Sequence, residues 1–351
     1  MTIRIAFIGT AGIPNRYGGF ESFLEHCAPV IAKRGIETTV TCDARLYANG
    51  ADNIFLGVQR EFIRIPANGA ASIAHDLIAF FRVLSASSHI IVLGVSGGIW
   101  FPLFRLICSA TGKRLAVNID GVEWRRTKFS RSKRALLKIF DWLAQRFSHH
   151  VIYDSQGLRP FLLPSSLGKA TCIAYPGDHV RRLENTVRRP RTALTICRIE
   201  PENNLELLID GAMLSTLKNY TIVGNWNHSD YARSLRQRYA HESRLQLLDP
   251  IYDPIKLAEL RESCEYYLHG HSVGGTNPSL VEMLFYDCAI LCFDVEFNRR
   301  TAEQCAGYFK SGKDLQQALD GHAPHTGDRQ QLRSCYTAPA IADAYLQAVM
   351  K

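Results

Sequence analysis

Short, almost wholly apolar runs alternate with amphipathic stretches along the first half of the chain. Residues 3–9, IRIAFIG, form one such run, as is typical of a strand that is covered on both faces. The stretch from Phe20 to Arg34 has helical spacing instead and ends at Gly35, a residue that commonly terminates a helix. This alternation predicts a parallel sheet with helices on both faces. Further strands are predicted at 38–42, 61–66, 89–94, 114–120 and 150–155.

The same alternation begins again in the second half of the chain. It follows residues 171–180, which contain a predicted strand and a Pro-Gly break, and a basic, weakly hydrophobic segment at 181–191. Residues 204–214 and 231–239 have helical spacing, and the C-terminal residues form an amphipathic helix. Strands are predicted at 193–199, 220–224, 244–251, 266–270 and 289–294.

The predicted fold class is therefore α/β, with two doubly wound, Rossmann-like domains facing a central cleft. We assign residues 1–175 to the first domain and residues 176–330 to the second. Residues 331–351 are assigned to a C-terminal helix that packs back on the first domain. Because ligands of such folds usually bind at the carboxyl ends of the strands, the loops that follow the strands are the candidates for a functional site.

Composition limits the class of protein. The chain has 351 residues, 46% of them hydrophobic and 21% charged, as in soluble globular proteins. No apolar run reaches the length of a transmembrane helix, and the N-terminal apolar run is too short for a secretory signal. The ten cysteines lack CxxC spacing, so we interpret them as reduced core thiols and expect neither disulfides nor zinc. We therefore predict a cytoplasmic protein.

The net charge of +8 is concentrated in one segment. Between Arg125 and Arg146 there are eight basic side chains and one acid, Asp141. Apolar residues recur there at helical spacing, and a basic amphipathic helix of this kind can lie on the inner, anionic face of a cell membrane. The alternative is a core helix with a solvated basic side. Nucleic acid is disfavoured, because the basic residues are not interleaved with aromatic ones. The residues predicted to contact the membrane are Arg131, Lys133, Arg134 and Lys138.

Three loops that follow predicted strands have the composition of a binding site. They are GTAGIPNRYGGFE at 9–21, NIDGVEW at 118–124 and CRIEPENN at 197–204. The first loop does not fit G-x-G-x-x-G, which disfavours a dinucleotide. In the third loop, Arg198 leaves a strand directly at its carboxyl end.

A fourth segment, HGHSVGGTNPSLVEM at 269–283, reads as a glycine loop followed by a helix. Thr276 or Asn277 suits the N-cap position, and Pro278 suits the first helical position. Exposed N–H groups and the helix dipole at such a start favour an anion, typically a phosphate. Glu282, one turn further, can accept hydrogen bonds from a hydroxyl-rich group attached to that phosphate. The alternative is a tight loop before an ordinary buried helix.

Taken together and in this order, GTAGIPNRYGGFE, NIDGVEWRRTKFSR, CRIEPENN and HGHSVGGTNPSLVE resemble the bacterial rhamnosyltransferases of glycosyltransferase family 4. The resemblance covers residues 3–300, approximately. It implies GT-B architecture and a retaining, metal-independent transfer of L-rhamnose from dTDP-L-rhamnose. The implied acceptor is a polyprenyl-diphosphate-linked saccharide in surface polysaccharide synthesis, and no cofactor is implied beyond the sugar nucleotide.

The resemblance assigns roles to individual residues. Arg198 matches the family's arginine that holds the donor diphosphate, whereas Asn203 stands where a lysine usually helps it. Glu282 matches the second of two paired glutamates, which binds the nucleoside ribose, and the first falls on Gly274. Asp120 stands where many members have a histidine at the catalytic centre. It is expected to bind donor hydroxyls or to support the positive charge that develops at the anomeric carbon.

The resulting site has a donor side and an acceptor side, with Asp120 and Arg198 as catalytic residues. His269 and Asp178 are weaker candidates, since such residues are more often structural. Rival functions are transfer of another sugar from a UDP or GDP donor, sugar-nucleotide epimerisation, and a non-catalytic binding scaffold. The predicted acceptor-side residues are Tyr17, Glu21, Glu123 and Trp124. The predicted donor-binding residues are Gly18, Gly19, Arg198, His271, Gly274, Gly275, Thr276, Asn277 and Glu282.

Overall fold

The structure consists of two compact units. The first is formed by Met1–Pro176 together with Thr337–Lys351, and the second by Gly177–Tyr336. No helix within the described ranges is long and apolar enough to cross a bilayer. The computed structural model describes residues 3–48, 50–125, 129–321 and 327–350.

The first unit is built on an eight-stranded sheet. In chain order its strands are β1 (Arg4–Ile8), β2 (Glu37–Asp43), β3 (Ile54–Phe55), β4 (Val58–Ile63), β5 (His89–Leu93), β6 (Arg114–Asn118), β7 (His150–Tyr153) and β8 (Ala170–Cys172). Their order in the sheet is β3-β4-β2-β1-β5-β6-β7-β8. Every neighbouring pair is parallel except β3 and β4. The helices between them are α1 (Gly19–Lys33), α2 (Ser72–Leu84), α3 (Phe101–Ala110) and α4 (Arg131–Phe147).

The second unit repeats the design with six parallel strands. These are β9 (Thr192–Ile196), β10 (Asn219–Val223), β11 (Leu245–Leu248), β12 (Tyr266–His269), β13 (Ala289–Phe293) and β14 (Gly307–Phe309), in the sheet order β11-β10-β9-β12-β13-β14. Its helices are α5 (Leu205–Leu214), α6 (Asp230–Arg238), α7 (Pro254–Ser263), α8 (Pro278–Leu284), α9 (Glu296–Ala302), α10 (Gly312–Gly321) and α11 (Arg329–Cys335). The predicted α/β class with two doubly wound sheets is confirmed.

The C-terminal helix, α12 (Ala338–Met350), belongs to the first unit. Tyr345 stacks on Phe23 of α1 with 4.6 Å between ring centroids, and Phe7 of β1 lies beside both rings. These rings are buried, and such aromatic pairs contribute about 0.5–1.5 kcal/mol beyond their buried area. The helix is therefore part of the first core.

The predicted boundary at residue 330 is wrong by one short helix. Helix α11 spans this boundary, and all of it belongs to the second unit, which extends to Tyr336. Arg329 donates to the carbonyls of Tyr286 and Cys288, and Arg333 donates to those of Leu284 and Tyr286. Because these two arginines satisfy carbonyls at the end of α8, α11 is fixed to the second unit.

Two short strands escaped the sequence prediction, and one predicted strand is displaced. β3 and β14 have two and three residues, too few to leave a readable period. β4 begins three residues earlier than the predicted 61–66, because Gly57, with φ of 86°, turns the chain back from β3. Glycine adopts this left-handed backbone without the steric cost of a side chain.

Candidate functional site

Asp120 lies in a tightly held turn after β6. Its backbone has φ of 55°, a left-handed conformation that aspartate tolerates better than most residues. Its N–H donates to Asn118 Oδ1 at 2.9 Å, and its carboxylate accepts the hydroxyl of Tyr175 at 2.9 Å. Asn118 Nδ2 donates to the hydroxyl of Tyr345 at 2.6 Å. The C-terminal helix therefore positions the turn that presents Asp120.

The glycine loop at 9–21 closes over the carboxylate of Glu21. Glu21 Oε1 accepts the N–H of Ala11 at 2.8 Å, and the residue is only 4% exposed. Burial raises the pKa of Glu21, hydrogen bonds from the backbone of Ala11 and Gly18 oppose the rise, and the charge of Asp120 adds to it. Gly18 is the N-cap of α1 and Gly19 its first residue. The structure thus places Glu21 beneath the loop, where it fixes the loop's shape.

Of the other predicted acceptor-side residues, Tyr17 is exposed and Trp124 is held by hydrogen bonds. Tyr17 is 66% exposed. Trp124 Nε1 donates to Asp141 Oδ2 at 3.1 Å, and the Trp124 carbonyl accepts Arg134 Nε at 2.8 Å. Trp124 therefore fastens the loop after β6 to α4. The side chain of Glu123 lies outside the described residues, as does the motif stretch 126–128.

Arg198 lies two residues past the end of β9 and is exposed. Within the described residues its guanidinium makes no hydrogen bond or ion pair. Its backbone is nevertheless fixed, because its carbonyl accepts Asn203 Nδ2 at 2.8 Å and the N–H of Glu200 at 2.9 Å. These hydrogen bonds fix the main chain at Arg198 and leave its guanidinium available to a ligand.

Asn203 supplies a connection that the sequence did not reveal. It is 6% exposed, and its Oδ1 lies 3.0 Å from His271 Nδ1. Because Asn203 donates its amide hydrogen to Arg198, its oxygen must accept from His271, which places the proton on Nδ1 and leaves Nε2 as the acceptor of the neutral ring. A lysine buried at this position would be destabilising, because its charge would lose its contact with water. Asn203 instead joins the loop after β9 to the loop after β12.

The helix start at 276–278 forms as predicted but offers fewer donors than expected. Asn277 is the N-cap, its Oδ1 accepts the N–H of Ser279 at 3.0 Å, and Pro278 is the first helical residue, so this part of the prediction is confirmed. The N–H groups of Leu280 and Val281 both bond to the Asn277 carbonyl. Since these groups are occupied and α8 has only seven residues, the helix itself offers few donors to an anion, and the phosphate role of this segment stays a prediction.

The glycines before this helix retain the free donors. Among the described residues, the N–H groups of Gly274 and Gly275 have no hydrogen-bond partner. Gly274 has φ of 120°, and a β-carbon there would meet His271 Nε2 at 3.4 Å. L-residues rarely adopt this backbone, so a glutamate at position 274 would be strained. Thr276 is buried between the glycines and the N-cap.

Glu282 projects from α8 into an ion-pair cluster. Arg261 of α7 donates to Glu282 Oε2, and His179 Nε2 lies 3.3 Å from Glu282 Oε1. Burial alone would raise the pKa of Glu282, but the hydrogen bond from His179 and the charge of Arg261 outweigh it and lower the pKa. The carboxylate is thus held ionised, with its side chain 16% exposed.

His179 and Arg261 are the site residues that sequence reasoning missed. Arg261 sits in an ordinary helix without a motif, and His179 follows the Pro-Gly break beside Asp178. His269, left open by the sequence, is 3% exposed and lies beside the ring of Tyr267. Burial and the neighbouring His271 lower the pKa of His269 to about 3, so it is a neutral core residue near pH 7.

Solved structures resemble the whole chain in fold. Sucrose-phosphate synthase from Thermosynechococcus elongatus matches with a TM-score of 0.80 at 13% identity, covering 98% of both chains. The lipopolysaccharide outer core galactosyltransferase WaaB matches at 0.64 and 13% identity, covering 99% of both. Anabaena HepE in complex with UDP-glucose matches at 0.63 and 15% identity, covering 99% of this chain and 95% of HepE. The chain therefore has the GT-B fold of glycosyltransferases.

The sequence itself places the chain in a family. Residues 3–178 match the family described as "Domain of unknown function (DUF1972)", and the chain belongs to that family. No curated protein matches it in sequence.

Proposed function

We propose that the chain is a glycosyltransferase that uses a nucleoside diphosphate sugar bound by the second unit. One observation carries the proposal: β9 and β12 are neighbours in the sheet, and Asn203 joins the loops at their carboxyl ends. The guanidinium of Arg198 and the N–H groups of Gly274 and Gly275, which have no hydrogen-bond partner among the described residues, are thereby brought to one edge of the sheet. Cationic and dipolar groups of this kind hold and stabilise phosphate oxygens.

Glu282 is proposed to hold the nucleoside ribose. An ionised carboxylate only accepts hydrogen bonds, and each oxygen has two lone pairs. Arg261 and His179 occupy one site on each oxygen, which leaves lone pairs for the two ribose hydroxyls. His271, which Asn203 holds in the loop before Gly274, is proposed to contact a hydroxyl of the donor sugar.

The proposed transfer needs no nucleophile from the protein. The bond between the anomeric carbon and the diphosphate oxygen breaks, and the acceptor oxygen forms the new bond on the same face. Configuration at the anomeric carbon is retained because the new bond forms on the face that the diphosphate leaves. A phosphate oxygen takes the acceptor's proton. Arg198 stabilises the charge on the leaving diphosphate, as electrostatic groups fixed before reaction do. Trapping of a glycosyl adduct on a side chain of the protein would contradict this route.

The donor is proposed to be dTDP-L-rhamnose, on the resemblance of the four motifs. In a thermal-shift panel of dTDP, UDP, GDP and NAD, we expect dTDP to stabilise the protein most. A ligand at a hundredfold its dissociation constant adds about 2.7 kcal/mol to stability. Preference for UDP or GDP would reassign the donor, and stabilisation by NAD alone would contradict the glycosyltransferase proposal. Transfer to a synthetic polyprenyl-diphosphate saccharide then separates an enzyme from a binding scaffold.

The acceptor is proposed to be a lipid-linked saccharide, reached from the inner surface of the cell membrane. Helix α4 supports this proposal with an outer face that mixes exposed basic and apolar side chains. Ile139 and Trp142 are 55% and 47% exposed. Leu106, on the adjoining α3, is 68% exposed. Arg131, Lys133 and Lys138 are exposed on the same helix, whereas Arg134 is occupied by Trp124.

Charge reversal on α4 should weaken membrane binding. In the variant with Arg131→Glu and Lys138→Glu, we expect more than about tenfold weaker binding to anionic vesicles, since each basic residue near such a surface contributes about 1 kcal/mol. Vesicle co-sedimentation measures it, and dTDP binding should be unchanged. The matched control reverses Lys33 and Lys256, two exposed helix lysines. Equal losses in both variants would attribute binding to net charge and remove α4 from the proposal.

A further inference from the structure

A cavity lies at the edge of the first sheet where the strands begin, opposite the edge that carries Asp120. It has a volume of about 210 Å³. His89, Arg114 and His150, the first residues of β5, β6 and β7, line it. Asp120 follows the far end of β6, and a five-residue strand alone spans about 16 Å. The cavity is therefore separate from the turn that presents Asp120.

The lining of this cavity carries positive charge and hydrogen-bond donors. Lys169 and His149 line the cavity together with the three residues at the strand starts. None of the described residues that line the cavity is acidic. Arg114 is exposed, and the other four side chains are half-buried. Because Arg114 and Lys169 are cations that line one cavity without a counter-charge, they repel each other, and this composition favours an anion.

Donors in the cavity remain unused by the fold. Lys169 Nζ donates to the carbonyls of Ser148 at 2.6 Å and Arg146 at 3.4 Å, which leaves its third hydrogen. His149 Nδ1 accepts the N–H of Leu115 at 3.0 Å, so the neutral ring carries its proton on Nε2 and can donate it. These contacts also fix both side chains in place.

The pKa values of basic groups that line the cavity are lowered. Burial, followed by the charges of Arg105 of α3 and Arg146 of α4, lowers the pKa of Lys169 to about 8. Burial lowers the pKa of His149 to about 4, assisted by Arg105, Arg114 and Lys169. Burial and Arg114 lower the pKa of His89 as well. An anion in the cavity would oppose each of these shifts by favouring the charged forms.

We propose that this cavity binds a small phosphate-bearing anion. Drug-sized ligands occupy pockets of roughly 300–1,000 Å³, so the cavity is too small for a sugar nucleotide and suits a phosphate or diphosphate group. Arg114 and Lys169 match the two charges of a phosphomonoester, and the imidazoles supply further donors. The group is either a free anion or the headgroup of an anionic phospholipid. The proposal does not rest on the proposed glycosyltransferase function.

Calorimetric titration of the full-length chain with inorganic pyrophosphate tests the proposal. All variants carry Arg198→Ala, which weakens the proposed donor diphosphate site. We expect saturable binding that Lys169→Met weakens by about tenfold or more, the usual value of a charge-assisted hydrogen bond. Affinity should also fall between about pH 7 and about pH 9 as Lys169 loses its proton. In histidine-selective NMR spectra, the resonances of His89, His149 and His150 should shift on binding.

Lys113→Met is the matched control, because Lys113 Nζ also donates to a backbone carbonyl, that of Ser87 at 2.6 Å, and does not line the cavity. It should leave binding unchanged. A second arm uses phosphatidylcholine vesicles with and without phosphatidic acid. If the protein binds phosphatidic acid vesicles but not pyrophosphate, and Lys169→Met weakens that binding, the natural ligand is a lipid headgroup. If the protein binds pyrophosphate, the ligand is a free anion. Absence of both, or equal loss in Lys113→Met, overturns the proposal.

Discussion

Replacing Arg261 with methionine is expected to lower the free energy of unfolding of the second unit by about 3–5 kcal/mol, as removal of one partner from a buried ion pair does. The Arg261 side chain is 7% exposed and its guanidinium bonds to the carboxylate of Glu282. Methionine fills a similar volume, so the main loss is electrostatic. Glu282 would keep only His179 as a partner and would carry a buried, poorly compensated charge. Native-state hydrogen exchange of the second unit measures the effect.

The pH dependence of this loss gives a signature that a packing defect would not. In the wild type the pKa of Glu282 is lowered, so its stabilising contribution is complete above the unfolded pKa and is lost as pH falls through the folded pKa. Without Arg261, burial should instead raise the pKa of Glu282. Protonation then relieves the buried charge, and we expect a smaller difference from the wild type at about pH 5 than at about pH 8.

Arg182→Met is the matched control for this experiment. Arg182 also lies over the ring of Tyr286, at 5.2 Å against 5.7 Å for Arg261, and it pairs with Glu262 and Asp287. Its side chain is 44% exposed, so its loss should cost less than about 1 kcal/mol. A pH-independent loss in Arg261→Met, or equal losses in the two variants, would show that Arg261 acts through packing rather than through Glu282.

The fold was predictable because its signals are local. Buried parallel strands leave apolar runs, and the chain shows one at β1 and another at β9. β1 lies within one residue of both predicted ends, whereas β9 begins within one residue of its prediction and ends three residues early. The N-cap at Asn277 was also predictable, since its hydrogen bond reaches only two residues along the chain. β14 was missed because three residues carry no period, and α11 was misassigned because carbonyls about forty residues away fix it.

The candidate site was less predictable because its contacts join distant positions. Glu282 was singled out, yet its partner His179 is more than a hundred residues away in sequence and Arg261 lies on another helix. Asn203 looked like a lost phosphate contact, whereas its amide fixes Arg198 and His271. The support of Asp120 by Tyr345 through Asn118 spans most of the chain. Neither composition nor spacing encodes such pairs.

Replacing Arg198 with alanine is expected to reduce kcat/KM for the nucleotide sugar by about a hundredfold, because loss of one preorganised donor to a developing anion costs about 2.7–4 kcal/mol. The guanidinium is exposed and makes no contact with described residues, so stability should change by less than about 0.5 kcal/mol. Its carbonyl remains bonded to Asn203, which keeps the loop in place. Steady-state kinetics and urea unfolding of the same variant measure both quantities.

Arg189→Ala is the control that makes this result specific. Arg189 precedes β9 where Arg198 follows it, and it is likewise exposed with its carbonyl bonded, in this case to the hydroxyl of Thr192 at 2.7 Å. The two variants therefore change the same charge at opposite ends of one strand. If Arg198 grips the diphosphate, only its loss affects the nucleotide sugar, and free dTDP should bind more weakly as well. Equal kinetics in both variants would leave the second unit without its proposed phosphate ligand, and the glycosyltransferase proposal would lose the observation that carries it.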